Sequence, residues 1–123
     1  MLDLLLVGIG GACGSLSRYQ IGKAIAQKSR AAFPINTYII NIAGAVLLGF
    51  LTGINLDKYP YLFFAEGFSG AFTTFSTFMY EGFSLFRENE KKNAIFYILS
   101  TLILGVIGFL FGYAIIGWLT KAR

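Results

Sequence analysis

Residues 69–78 read SGAFTTFSTF and lie in the middle of an apolar segment. The seven residues from Phe72 to Phe78 combine three phenylalanines with four hydroxyl side chains: Thr73, Thr74, Ser76 and Thr77. A single Ser or Thr in a helix bonds back to the carbonyl four residues earlier. Four hydroxyls in five positions exceed what that bond explains. On an unbroken α-helix, Thr73, Ser76 and Thr77 would share one face.

The three-residue spacing of the phenylalanines, together with Gly70, permits a break or a 3₁₀ stretch in this segment. In lipid, a break is tolerated only where the freed backbone groups find partners, a cavity or an ion. Free carbonyls suit a hard cation such as Na⁺. Hydroxyl donors, with the electropositive edges of phenylalanine rings, suit a small anion. The segment therefore offers two kinds of ion site.

The composition indicates a membrane protein. The chain has 123 residues, of which 56% are hydrophobic and 13% are charged, whereas a soluble domain carries about 25% charged residues. Residues 31–56 and 93–120 contain no charged side chain, and each run is longer than the roughly 20 residues that cross a bilayer as a helix. We predict one all-α domain over residues 1–123, with four transmembrane helices near 2–24, 33–54, 60–86 and 93–120.

Several function classes are excluded at this stage. The chain has no His and a single Cys, Cys13, which excludes a His- or Cys-rich metal site and an intrachain disulfide framework. The net charge of +4 comes from basic residues at segment ends, as in membrane proteins, and predicts no nucleic-acid partner. Cys13 has no basic partner nearby in sequence and no nucleotide motif appears. We therefore predict that the chain is not an enzyme.

The distribution of cations gives only a weak orientation. Six lie toward the first and third connections and three on the other side of the membrane, which weakly favours outside termini. The bias is small enough that both insertions could occur. The six are Lys23, Lys28, Arg30, Arg87, Lys91 and Lys92, and the three are Lys58, Lys121 and Arg123.

Glycines recur at a spacing that lets helices approach closely in lipid. These small-xxx-small pairs predict a tightly packed assembly, and because four helices enclose little volume, transport would be easier to build from an oligomer. The pairs are Gly10 and Gly14, Gly49 and Gly53, and Gly108 and Gly112.

Four polar side chains within the spans have more than one interpretation. Arg18 either extends to the interface or faces an aqueous vestibule that attracts anions. Asn41, near the middle of the second helix, either bonds to another helix or lines a polar path. Glu66 and Glu81 lie 15 residues apart, toward the two ends of the third helix, and flank the hydroxyl segment.

The residues 67–82, GFSGAFTTFSTFMYEG, resemble the signature of the Fluc (CrcB) fluoride channels. GGACGSLSRY at 10–19, INIAGAVLLG at 40–49, and Tyr97 with its two following hydroxyls support the resemblance, which covers the whole chain. One departure is Ala71, where the family often has a second glycine. It leaves Gly70 and Thr73 in place.

The resemblance implies a four-helix protomer with a broken third helix, in an antiparallel, dual-topology dimer with two pores. It also implies a structural Na⁺ at the dimer axis, held by the backbone carbonyls of Gly70 and Thr73 from both subunits. Such a protein sits in the inner or plasma membrane as a multi-pass protein. It exports fluoride passively and so relieves fluoride toxicity. The partner subunit is a second copy of the chain or an oppositely oriented homologue.

The family's pore residues carry over to matching positions. Two phenylalanines would line the pore beside an amide, hydroxyls would form a polar track, and a tyrosine with one of two hydroxyls would extend the track from the fourth helix. Those positions are Phe75, Phe78, Asn41, Ser76, Thr77, Tyr97 and either Ser100 or Thr101, with Arg18 in the vestibule.

Two rival functions remain open. A small multidrug-resistance-like exporter shares the size and the helix number, but it needs an acid embedded in the first helix, where this chain has only Asp3 at the end. A non-transporting assembly protein would use its glycines and hydroxyls only for packing, and predicts no ion flux from the purified protein.

Overall fold

The computed structural model describes residues 1–28 and 33–121, and this part of the chain is helical with no strand. The prediction of an all-α fold is confirmed. An eight-residue π-helix, which we call the π segment, lies between the third and fourth helices. The elements are α1 (Leu2–Lys28), α2 (Ile35–Gly53), α3 (Lys58–Tyr61), the π segment (Leu62–Ser69), α4 (Gly70–Phe72), α5 (Phe75–Arg87) and α6 (Lys91–Lys121).

The helix ends differ from the predicted ones by a few residues. α1 has 27 residues and runs four residues beyond the predicted end at 24, because its polar last turn continues the helix after the apolar pattern stops. The connections at 54–57 and 88–90 are short, as predicted, and each turns at an asparagine with positive φ, Asn55 (52°) and Asn89 (61°). Most of the predicted first connection, 27–32, lies outside the described residues, as do Arg30 and Arg123.

The predicted third helix, 60–86, is interrupted, but the interruption does not lie at Gly70. Gly70 is helical (φ −62°, ψ −36°), and the chain becomes extended three residues later, at Thr73 (φ −77°, ψ 159°) and Thr74 (φ −147°, ψ 119°). The irregularity before the break is the π segment, where Ser69 Oγ donates to the Phe64 carbonyl five residues earlier at 2.9 Å. The shared face that an unbroken helix would give these hydroxyls does not form, because the predicted break is present and separates Thr73 from α5.

Helices α2 and α6 form the most extensive contact, and glycines bring their backbones together. A Cβ on Gly49 would overlap the backbone of Phe109, and one on Gly112 would overlap the backbone of Val46. Both helices are long and apolar enough to cross a membrane, with 19 residues in α2 and 31 in α6. The predicted close approach at the remaining members of these pairs, Gly53 and Gly108, is also present.

Helix α1 packs against the π segment through its own glycine pair. A Cβ on Gly10 would overlap the Phe63 backbone, and one on Gly14 would overlap the Phe68 backbone. The third glycine of this contact is Gly67 in the π segment, and a Cβ on Gly67 would overlap the backbone of α1. The glycine pairs thus hold α1 against the π segment, which precedes the break, and hold α2 against α6.

Candidate functional site

The break leaves the last four carbonyls before it, from Gly70 to Thr73, without their helical donors. In an α-helix the carbonyls of Gly70 and Thr73 accept from the N–H groups of Thr74 and Thr77. Here the Thr74 N–H donates instead to Asn41 Oδ1 at 2.8 Å, and the Thr77 N–H donates to Thr74 Oγ1 at 3.3 Å. Because both donors are diverted, the oxygens of Gly70 and Thr73 can accept from other groups, and the Thr73 oxygen accepts one bond from Arg18.

Asn41 clamps the extended residue from α2. Its Oδ1 accepts from the Thr74 N–H, and its Nδ2 donates to the Thr74 carbonyl at 3.0 Å. One side-chain amide therefore satisfies both backbone groups of a residue that has left the helix, as the lipid environment requires. Of the two interpretations of Asn41 given above, these bonds correspond to the first, in which the amide bonds to a neighbouring segment. The same side chain also lines a groove described below.

Arg18 reaches the break from α1. Its Nη1 donates to the Thr73 carbonyl at 3.3 Å, and the side chain is half-buried. Arg18 also lines an open groove with Lys23 and several polar groups, which we call the basic groove. It is lined by Arg18, Tyr19, Gly22, Lys23, Ala26, Asn36, Thr37, Ile40, Thr74 and Thr77.

A second groove opens on another side of Thr74, and we call it the phenylalanine groove. Phe78 is 3% exposed and Phe75 is 73% exposed, with ring centroids 6.0 Å apart. Phe78 therefore forms the buried wall and Phe75 the open rim. The lining residues are Asn41, Thr73, Thr74, Phe75, Phe78, Thr101, Leu102, Gly105 and Val106. Thr74 lines both grooves, so the break lies between them.

The three candidate pore residues of α6, which are Tyr97, Ser100 and Thr101, lie in different surroundings. The Tyr97 ring is fully buried and lies 5.3 Å from that of Phe78, and Thr101 lines the phenylalanine groove. Ser100 donates to the Phe96 carbonyl and lines a different, apolar groove on α6. Of the two hydroxyls left open by the sequence, Thr101 is therefore the one that lies beside the phenylalanines.

Three hydroxyls meet at the start of α5. Thr74 caps the helix, and its Oγ1 lies 3.1 Å from Thr77 Oγ1 and 3.4 Å from Ser76 Oγ. Ser76 and Thr77 are exposed, and Thr77 faces the basic groove. The positive end of a helix dipole and a cluster of O–H donors both favour an anion. This end of α5 thus faces the same groove as Arg18 and Lys23.

Glu81 joins two helices through a network that the sequence did not reveal. Thr37 Oγ1 donates to Glu81 Oε1 at 3.0 Å, and the Tyr97 hydroxyl donates to Oε2 at 2.9 Å. We predicted Glu81 only as a flanking acid, and Thr37 was not singled out. No local signal could have found the pair, because the two residues are 44 positions apart. Since Thr37 lines the basic groove and Tyr97 packs on Phe78, the network is a polar link between the two grooves.

A third groove is lined by Gly70 and Thr73, two of the residues whose carbonyls are freed, and we call it the Gly70 groove. It is lined by Gly44, Ala45, Leu48, Tyr61, Ala65, Glu66, Ser69, Gly70 and Thr73. Within the described residues no group of three His, Cys, Asp or Glu side chains could hold a metal. The donors in this groove are oxygens, which fit a hard cation rather than a transition metal.

Residues 5–113 match the family model described as CrcB-like protein, Camphor Resistance (CrcB). The chain belongs to the CrcB family. The resemblance of residues 67–82 to that family's signature is therefore confirmed. Together with the apolar helices, family membership makes this a membrane protein.

Three relatives of this chain are named as fluoride-specific ion channels. The chain is similar to "Fluoride-specific ion channel FluC 2" of Clostridium acetobutylicum, 53% identical over 90% of this chain and 95% of the relative. It is 39% identical to "Fluoride-specific ion channel FluC 1" of Carboxydothermus hydrogenoformans, over 91% of each chain. A "Fluoride-specific ion channel FluC 2" of Bacillus cereus is 38% identical over 87% of this chain and 91% of its own. Because these relatives are named as ion channels, the prediction that the chain is not an enzyme is confirmed.

Proposed function

We propose that this protein is a fluoride-selective ion channel that exports fluoride passively from the cytoplasm and relieves fluoride toxicity. The observation that carries the proposal is the break at Thr73–Thr74, which lies between a basic groove and a phenylalanine groove. Asn41 and Arg18 bond the backbone there, so the break persists without an α-helical ladder. The names of the family relatives supply the ion.

The two grooves offer a small anion a series of contacts: first cationic side chains, then hydroxyls, then phenylalanine ring edges. Arg18 and Lys23 attract it into the basic groove, where the hydroxyls at the start of α5 replace part of its water. It then meets the ring edges of Phe75 and Phe78, which carry partial positive charge. A channel must bind its ion well enough to dehydrate it and weakly enough to release it. Hydroxyls and ring edges in series meet that condition better than a buried ammonium would.

A sodium ion is the second part of the proposal. The carbonyls of Gly70 and Thr73 belong to the four that the break leaves without helical donors, and both residues line the Gly70 groove, which supports their use as cation ligands. Two such oxygens from each of two subunits would hold one Na⁺ at a dimer axis. When bound, the ion supplies positive charge that holds the two breaks together. The residues of this chain present the oxygens.

The proposed architecture is a four-span, multi-pass protomer in the inner or plasma membrane, assembled as an antiparallel homodimer with two pores. Helices α2 and α6 and the 27 residues of α1 are long enough for three spans, and residues 58–87 provide an interrupted fourth. The difference in cations between the two sides, six against three, is small enough to allow insertion in both orientations. An oppositely oriented homologue is the alternative partner.

Ion efflux from liposomes tests the function directly. Liposomes holding only this purified protein are loaded with potassium fluoride and potassium chloride, and both anions are followed with electrodes after a potassium ionophore is added. We expect rapid loss of fluoride and retention of chloride. Equal loss of both anions would contradict selectivity. No loss of either would favour an obligate partner subunit or the packing role.

The phenylalanines can be tested separately from the cation. We expect Phe75→Ile and Phe78→Ile to reduce fluoride efflux while the response of stability to Na⁺ persists. Phe83→Ile is the matched control, because Phe83 lies on the same helix, is 63% exposed and lines neither groove. Wild-type efflux in both groove variants would remove the phenylalanines from the mechanism.

The exporter alternative receives no support from α1. Its one acid, Asp3, lies at the helix end and forms an ion pair with Lys58 at 2.7 Å. A proton-coupled exporter needs an acid within the membrane that is free to exchange protons and substrate.

A further inference from the structure

Glu66 is the charged side chain of the Gly70 groove. It lies on the π segment, one turn before Gly70, and its side chain is exposed. Within residues 1–28 and 33–121 no hydrogen bond or ion pair engages its carboxylate. Among the described residues, the groove lining contains no Lys or Arg. The groove therefore combines a carboxylate with carbonyl and hydroxyl oxygens and has no cationic side chain to balance them.

Glu81, the second acid predicted within this span, has hydrogen-bond partners. Glu81 receives hydrogen bonds from Thr37 and Tyr97, so both of its carboxylate oxygens have donors. Within the part of the chain that the structure describes, Glu66 has no such donors, although we place it in a membrane-embedded segment, where an unmatched carboxylate is costly. A cation bound in the groove would balance it.

Arg18 gives a second reason for an acid at this position. Its guanidinium donates to the Thr73 carbonyl from the basic groove, and its positive charge opposes a cation at the same oxygen. A carbonyl oxygen has two lone pairs, so a guanidinium and a cation can share it. The charge of Glu66, on the Gly70 side, offsets the charge of Arg18.

We propose that Glu66 is an acidic determinant of cation binding in the Gly70 groove, an inference that rests on the sodium site proposed above. The ligand class is a hard, oxygen-seeking cation, with Na⁺ as the probe. The carbonyls of Gly70 and Thr73 supply coordination, and Glu66 supplies the negative charge that a site of neutral carbonyls beside Arg18 lacks. Its carboxylate acts from within the groove or through one bound water.

The test measures sodium binding rather than flux. The full-length protein is purified in detergent and its unfolding temperature is followed as NaCl replaces N-methyl-D-glucamine chloride at constant ionic strength. Binding of radioactive sodium at equilibrium is measured in parallel. The variants are Glu66→Gln, Glu66→Asp, which keeps the charge, and Glu88→Gln, a matched charge change in the exposed turn after α5.

We expect Glu66→Gln to raise the sodium concentration at half-effect roughly tenfold, the size of effect given by removing one charge several ångströms from the ion at a partly screened site. Glu66→Asp should recover most of the affinity, and Glu88→Gln should match wild type. An unchanged midpoint in Glu66→Gln would overturn the inference and leave the sodium site intact. If sodium has no effect on wild type and does not bind to it, the sodium site itself fails. Because radioactive sodium binding is scored on folded protein, a lower starting stability of Glu66→Gln cannot imitate the expected shift.

Discussion

Replacing Asn41 with alanine tests whether one side chain maintains the break. The amide makes two hydrogen bonds to Thr74, one to the N–H at 2.8 Å and one to the carbonyl at 3.0 Å. A buried backbone group without a partner costs about 1–3 kcal/mol. Thr74 is half-buried, and its carbonyl can still accept the first helical bond of α5, so Asn41→Ala leaves about one such group and we expect the free energy of unfolding to fall by about 1–3 kcal/mol.

The assay is equilibrium unfolding in mixed detergent micelles, followed by circular dichroism, with hydrogen exchange of the 70–78 segment as a local readout. Asn93→Ala is the control, because the Asn93 amide donates only to Glu90 on an exposed surface. That change should stay within about 0.5 kcal/mol of wild type. The Thr74 amide should exchange much faster in Asn41→Ala and normally in Asn93→Ala.

A loss below about 1 kcal/mol in Asn41→Ala, with unchanged exchange at Thr74, would refute the reasoning, because less than one unsatisfied group would then have been created. Asn41→Asp refines the test. Aspartate keeps an acceptor for the Thr74 N–H but turns a second oxygen toward the Thr74 carbonyl. We therefore expect it to destabilise the protein as well, despite its nearly identical shape.

Three further predictions concern other parts of the fold. Gly14→Ala should destabilise the protein by about 1–3 kcal/mol, because the added methyl group overpacks α1 against the π segment. Gly117→Ala places its methyl group in open space and should be neutral or stabilising by up to about 1 kcal/mol. Equal unfolding curves for the two variants would contradict this prediction. Glu81→Gln should lower the free energy of unfolding by about 1–3 kcal/mol, since one of two hydroxyl donors loses its acceptor, and wild-type unfolding would show that the network is dispensable. The hydrogen bond from Lys58 to Asp3 and the charge of Asp3 raise the pKa of Lys58 above its ordinary value, so Asp3→Asn should bring that pKa back toward the ordinary value in an NMR titration. In wild type the contribution of the ion pair is present at neutral pH and disappears as pH rises through the raised pKa.

The helices were predictable because the runs without charge are long. Residues 31–56 and 93–120 contain α2 and most of α6, and the glycine pairs correctly identified close helix contacts. The position of the break was harder to predict. Gly70 has no conformational role there, and the chain leaves the helix at Thr73 because Asn41 offers Thr74 a replacement for both of its helical hydrogen bonds.

The site was predictable where its members are close in sequence or match the family's signature. The clustering of Thr74, Ser76 and Thr77 follows from their spacing around a helix start. The Glu81 network did not follow, because its two donors come from other helices and carry no local pattern. Likewise, the π segment has an ordinary apolar sequence, and its wide turn reflects the close packing of Gly67 against α1.

The unequal lengths of α2 and α6 tie this protein to the dimensions of its membrane. With 19 residues, α2 is about 28 Å long, close to the roughly 30 Å of a bilayer core, whereas the 31 residues of α6 extend about 46 Å. Because the two helices are locked at their glycine contacts, α6 cannot tilt to fit a thinner bilayer without tilting α2 as well. The ends of α2 would then withdraw below the headgroups. The pair therefore fits a bilayer core close to the length of α2, with the ends of α6 in the headgroup regions, and shortening the lipid chains should strain the break that both helices flank.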